Sequence, residues 1–426
     1  MNYYPQLNET VHRAVLQNGL TVITVPRKGF RKKLAYFAAD YGAIHRSFRL
    51  SGKEICHPAG IAHYLEHKMF DMPEGEVSEQ FARLGAMVNA FTSYDMTAYY
   101  FSCTEHFEES LQLLLEFVST PYFTAESVQK EQGIIGQEIA MSADNPDSKV
   151  FENLMGCLYA RHRIRETILG TAESIARITP QILEQCHRAF YRPENMVLCV
   201  VGDVDPKAIE AMAATVLPGQ GALGEKCRDW AEEMAALQPY TEQAMDVAMP
   251  MFCLGFKCES IGAGAEAARQ EILGELAAEA LFGESSGLYL KLYEAGLIDS
   301  SFGGGFETVD GMAMLIASGD SLDPEAVQEA ILQQAQLLAE AGIPEKDLLR
   351  MKRSALGRRI RELDSFDSTC FRLCAYHFLE VDYMEFPQLY QQVESRDIQE
   401  FLRRVVTRER CGLSVIVPRD QTEETP

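Results

Sequence analysis

The sequence is short of cations. Its 39 lysines and arginines face 62 aspartates and glutamates, a formal net charge of −23 at pH 7. Such a surface repels a phosphate backbone, which excludes nucleic acid as the expected partner. It attracts basic peptides, although an acidic surface is most often only a solvated face. Long apolar runs are missing too, and no stretch reaches the length needed to span a bilayer, so no membrane partner is expected. The amino terminus has neither a cationic start nor an apolar segment, so no signal peptide is expected. The 11 cysteines show no paired spacing. An odd, scattered set without a secretory signal is expected as reduced, mostly buried thiols in a cytoplasm. What is present is ordinary globular chemistry, 47% hydrophobic and 24% charged. A chain of 426 residues is too long for one compact core, so two or more domains of roughly 100–200 residues each are expected.

Residues 11 to 26 read as a β-hairpin: two alternating runs flank Asn18-Gly19, a short-turn signal. Strands follow at Leu34 to Tyr41, Met87 to Thr92 and Thr97 to Ser102, and an apolar one at Met196 to Val204. Helical periodicity marks His106 to Val118, Ala125 to Met141, Val150 to Tyr159 and Pro180 to Phe190. A Gly- and Pro-rich stretch from Leu217 has the composition of a linker, which places the expected boundaries at 1–217, 218–239 and 240–426. The second half repeats the order of elements. A strand at Met251 to Lys257 is followed by a long helix, Ala265 to Leu281, without histidine. Then come a Gly-rich passage at Phe302 to Phe306, a strand at Ala313 to Ala317, two helices and a closing strand at Cys411 to Pro418. The expected fold class is α+β, with two homologous domains from an internal duplication, each a mostly antiparallel sheet with helices packed on it. A polar tail from Arg419 is expected to fray.

Chemistry concentrates between Gly60 and Phe70, a helical run. Positions i, i+3 and i+4 share one helical face, which puts His63, Glu66 and His67 on a single turn. Two imidazoles on one face take a divalent ion, usually Zn²⁺, and the intervening carboxylate reaches a water beside that ion. This is the H-x-x-E-H pattern of the inverted zincins. Composition alone yields such a match on the order of once in a hundred chains of this length, so a third ligand is required. A catalytic zinc typically has three protein ligands and one open position. Glu138 is the best candidate: it shares a helical face with Glu131 two turns earlier, amid Ile134 and Ile135. The bland alternative is a pair of exposed glutamates on an acidic protein.

With these residues in place, the sequence resembles the pitrilysin/insulinase family of zinc metallopeptidases. It is most similar to half-size members such as the catalytic β subunit of mitochondrial processing peptidase and its bacterial relatives. The motifs fall in the family's order: His63-x-x-Glu66-His67, then Gly85 to Ser93 with Thr97-Ala-Tyr-Tyr100, then Glu131 and Glu138. Tyr191-x-Pro-x-Asn195 and Val200-Val-Gly-Asp203 come last. The resemblance implies a duplicated two-domain fold with metal ligands in the first domain only. It implies His63, His67 and Glu138 as ligands of one Zn²⁺ per chain. Glu66 is implied as general base, and Glu131 as a further carboxylate of the catalytic centre that orients the ligands. Asn89, Ala90, Phe91 and Thr92 correspond to a strand on which an extended peptide substrate adds by main-chain hydrogen bonds.

One departure stands out. The family commonly carries an Arg and a Tyr, seven apart, in the second domain. Aligned on Gly296-Leu297, those positions read Leu292 and Asp299. The expected function is therefore a zinc endopeptidase that cleaves peptides or unfolded leader-like segments in a two-domain chamber. It would be the zinc-bearing subunit of a heterodimer with a homologous partner, or a homodimer. The alternative is a non-catalytic structural or assembly subunit, or a peptide-binding module of the same fold.

Overall fold

Asn18-Gly19 makes the turn its composition promises. Gly19 adopts φ 90°, a region that side chains resist. The Asn18 carbonyl oxygen accepts the Leu20 N–H at 3.1 Å, and strands Glu9–Val15 and Thr21–Pro26 pair antiparallel around it. The structure, a computed structural model, describes residues 1–216, 222–228 and 230–419. The start of the expected 218–239 linker and the polar tail beyond Arg419 lie outside the described residues.

The first sheet holds β1 (Asn2–Tyr4), β2 (Glu9–Val15), β3 (Thr21–Pro26), β4 (Lys33–Ala39), β5 (Met87–Thr92), β6 (Thr97–Cys103) and β7 (Met196–Gly202). Their spatial order is β1-β2-β3-β7-β4-β6-β5. All neighbours are antiparallel except β3 and β7. Every residue of β7 is buried. A continuous apolar run of this kind belongs to a central strand covered on both faces. Outside the sheet, α1 (Ile61–Met69) and α2 (Ala125–Ala143) carry the metal-motif residues.

The second sheet holds β8 (Tyr240–Met245), β9 (Met251–Lys257), β10 (Gly303–Val309), β11 (Met312–Asp320) and β12 (Cys411–Pro418), in the order β8-β12-β9-β11-β10. Here too the first pair is parallel and the rest antiparallel. This repeats β3-β7-β4-β6-β5 strand for strand, the duplication expected from element order. The Gly-rich passage at 302–306 leads into the edge strand β10, which begins at Gly303. A Cβ at Gly304 would run into the Phe282 ring, at the end of the helix Gly264–Phe282, so side chains are absent where helix and strand meet.

Contacts divide the chain into two compact units. One combines Met1–Ile139, Glu166–Asp229 and Arg359–Glu385; the other combines Ala140–Arg165, Trp230–Arg358 and Phe386–Pro426. The division at 218–239 thus separates the sheets but not the helices that cover them. Helix α3 (Pro146–Leu158) comes from the first half and packs on β9 and β12. The helix Phe366–Phe378 comes from the second half and packs on β7 and β4. The seat for α3 is a pair of glycines facing each other across the ladder, Gly255 and Gly412. A Cβ at Gly255 would lie 2.8 Å from Leu158, and one at Gly412 would lie 3.1 Å from Cys157. Gly255→Val or Gly412→Val should therefore cost about 1–3 kcal/mol in urea denaturation through overpacking. Gly303→Ala, where a Cβ meets nothing, should change stability little.

Candidate metal centre

Helix α1 starts at Gly60, which has φ 85° and sits so close to the Leu169 carbonyl that no Cβ fits. From there Ile61, Ala62, Leu65 and Met69 point into the core. Tyr64 is fully buried, and its hydroxyl donates to the Val128 carbonyl of α2. The remaining face of α1 carries His63, Glu66 and His67.

His63 Nε2 and His67 Nε2 each lie 3.7 Å from Glu138 Oε2. That is too long for a hydrogen bond. The imidazole centroids are 4.5 Å apart, inclined at 59°. Among the described residues these three form the group able to hold a metal, with ligand atoms all within 4.8 Å of one another. Zinc–ligand bonds of about 2.0–2.2 Å place neighbouring donors about 3.3–3.6 Å apart. Two imidazole nitrogens and a carboxylate oxygen at these separations fit a divalent ion with an open fourth position.

Glu131 is set differently from Glu138. Its Oε1 lies 2.9 Å from His67 Nδ1, so it holds the far side of the ring and leaves Nε2 facing Glu138. Its Oε2 lies 3.6 Å from the buried Lys68 ammonium. His63 Nδ1 is buried without a hydrogen-bond partner among the described residues, so the two rings are not equally restrained. Burial, reinforced by the neighbouring His67 charge, pushes His63 down to about 4, and the ring is neutral at pH 7. For His67 burial acts the same way, but the Glu131 hydrogen bond and the charges of Glu138, Glu66 and Glu131 outweigh it, and the shift is upward.

Glu66 is buried beside this group, and Thr92 Oγ1 donates to its Oε2 at 2.6 Å. Burial raises its proton affinity, and Glu138 adds to that; the Thr92 bond and His67 only partly offset them. A carboxylate with raised proton affinity is a better proton acceptor near neutral pH.

The four residues expected at the peptide edge lie on β5. This strand is at the rim of its sheet, and among the described residues it pairs only with β6. Their side chains meet different partners. Thr92 is committed to Glu66. Ala90 packs toward the core, and its N–H is taken by the Asn89 side chain at 2.9 Å. Phe91 lies on the opposite face, 5.8 Å from Phe371 and 6.3 Å from Tyr36 and Tyr100. In the second unit, Leu292 is buried on a short helix, and Asp299 is capped by Ser301 N–H at 2.7 Å. Sequence reasoning missed Lys68 entirely, because a lysine on an acidic protein reads as surface; it also missed that Thr92 serves Glu66.

Comparison with known proteins decides the family. Residues 51–172 match the model for insulinase (peptidase family M16), and residues 177–355 match the peptidase M16 inactive domain. The uncharacterized zinc protease YmfH of Bacillus subtilis is 36% identical over 425 residues, covering 98% of each chain. The chain belongs to peptidase family M16. A second Bacillus subtilis relative, the uncharacterized zinc protease YmxG, is 27% identical over 375 residues, 85% of this chain and 87% of that one. An M16-like peptidase from Alicyclobacillus acidocaldarius superposes with TM-score 0.92 at 30% identity, covering 96% of this M16 chain and 99% of its own. Pitrilysin shares the fold with TM-score 0.77 at 17% identity, and this chain spans 46% of its length, the half-size proportion expected from sequence. The inactive-domain match falls on the half whose long helix Gly264–Phe282 has no histidine.

Removing one hydroxyl tests the local electrostatics. Thr92→Val should raise the titration of Glu66, followed by carboxyl ¹³C NMR on the metal-free protein. An unchanged titration would show that the bond is absent in solution.

Proposed function

We propose that this M16 chain is a zinc-dependent endopeptidase acting on peptides or unfolded leader-like segments. The observation that carries the proposal is the convergence of His63 Nε2, His67 Nε2 and Glu138 Oε2, with the buried Glu66 carboxylate alongside. A Zn²⁺ ion held by these three residues would polarise a peptide carbonyl and acidify a water. Glu66, beside this group, would accept a proton from the attacking water and return it to the departing amine. Thr92 occupies Glu66 Oε2 and leaves Oε1 to do this. Glu131 holds His67 by Nδ1, and the outer edge of β5 offers main-chain groups to an extended peptide, which selects shape more than sequence.

Leu292 and Asp299 supply neither cation nor phenol, which supports a homologous second subunit as the source of further substrate contacts. A heterodimer accounts for this best, and a homodimer is the other arrangement. Eleven free thiols support a reducing compartment such as the cytoplasm. Among the described residues no helix is long and apolar enough to cross a membrane.

The decisive comparison is Glu66→Gln on a quenched mixture of unfolded peptides. Zinc content should be retained and cleavage should fall by about 10²–10⁴-fold. Zinc bound without any Glu66-dependent cleavage, alone or with a homologous partner added, would leave the structural-subunit reading in its place.

Metal binding should also depend on pH with a definite sign. A proton on His67 Nε2 competes with the ion, and His67 holds its proton to a higher pH than an ordinary histidine. Affinity is therefore full above that pH and should weaken by about tenfold per unit as pH falls below it. His63, lowered to about 4, contributes a second proton only near that value. Titration calorimetry with Zn²⁺ between pH 8 and about 5 reads this slope.

A further inference from the structure

Lys68 directly follows the second histidine of the motif, yet it is 1% exposed. A buried ammonium needs partners for its charge and its three donors. It finds Asp71 Oδ2 in direct contact, the Ser127 carbonyl at 3.4 Å and Glu131 Oε2 at 3.6 Å. Two of these partners lie on α2. Glu131 is thereby divided: Oε2 faces Lys68 and Oε1 faces His67 Nδ1 at 2.9 Å.

We propose that Lys68 is a positioning residue of the metal centre, anchoring one oxygen of Glu131 so that the other fixes the ring of His67 with Nε2 directed at the ion. The inference rests on the metal-centre reading and extends it by one residue. A free carboxylate rotates about its last bond at little cost, since that torsion is broad and two-fold. With a buried cation on one oxygen, rotation strips a charge-assisted contact. The same ammonium holds Asp71, just past the end of α1, so the chain leaving the motif helix and the α2 carboxylate share one cation. A salt bridge serving only to fasten α1 would need Asp71 alone. The line from Lys68 through Glu131 to His67 is what points to the ion.

The test uses the full chain and Zn²⁺ itself as probe, with affinity measured by competition against a chromophoric chelator. Lys68→Met should weaken zinc by about tenfold or more, the range for groups that orient a metal ligand. Because Lys68 acts through Glu131, Lys68→Met placed on Glu131→Gln should weaken it no further than Glu131→Gln alone. Wild-type affinity in Lys68→Met, or losses that multiply in the double variant, would overturn the proposal. Lys68→Gln replaces Lys68→Met if the latter fails to fold by circular dichroism. A measurement on the unaltered protein adds an independent check. Imidazole ¹⁵N spectra of the metal-free chain, at a pH where the ring is neutral, should show His67 as the Nδ1–H tautomer; the Nε2–H tautomer refutes the arrangement. None of these readouts involves a substrate, so absence of Glu66-dependent cleavage would end the endopeptidase reading and leave this test intact.

Discussion

The site depends on how two helices distant in sequence are joined, and the most buried of their joins is made by a tyrosine. Tyr64 is buried completely in α1, and its hydroxyl reaches one main-chain carbonyl, that of Val128 in α2. A buried phenol left without an acceptor costs about 1–3 kcal/mol, so the ring fixes both how close the helices come and how far one slides along the other. His63 and His67 flank Tyr64 on α1, and Glu131 and Glu138 follow Val128 on α2. Each imidazole can still rotate about its own side-chain bonds. Glu131 removes that freedom for His67. Glu66, on the same turn, then meets Thr92 at the sheet rim, so the base is referenced to the sheet and the ligands to α2.

The duplication shows how little of this belongs to the fold itself. Two sheets share the order and the directions of five strands, and each is covered by a helix from the other half of the chain. Where the first half puts α1, the second puts Gly264–Phe282, an alanine-rich helix with ten buried residues and no histidine. The same scaffold therefore carries a packing helix in one copy and the His63, Glu66 and His67 cluster in the other, as expected if function resides in sites grafted on folds.

Much of this was legible from residues. The apolar runs of β4 and β7, the turn at Asn18-Gly19 and the i, i+3, i+4 spacing of the motif are local signals, and local signals predict local structure. Glu138 was legible because helical periodicity carries it to the same face as Glu131. The helix exchange was not legible: an amphipathic pattern says that α3 has a buried face, not which sheet covers it. The packing reason for the glycine at 304, the Phe282 ring, was not legible either, because it lies elsewhere in the chain. The Thr92 hydroxyl bond to Glu66 was not legible, because it joins residues 26 apart in sequence and depends on tertiary packing. Lys68 was invisible because charge predicts exposure, and only the carboxylates around it reverse that expectation.

Those carboxylates also explain why the site is electrostatically incomplete by itself. Asp71 and Glu131 share the ammonium of Lys68, while Glu138 faces the two imidazoles and Glu66 lies beside them, with His63 held neutral by burial. Like charges this close in a low-dielectric setting repel strongly. A proton on His67 offsets them, its shift being upward on their account, whereas Glu66 is shifted upward chiefly by burial, with Glu138 adding to it. A dication at the three ligand atoms would do the same work more effectively, lowering the proton affinity of both groups together. Metal binding and proton release would then be one coupled event.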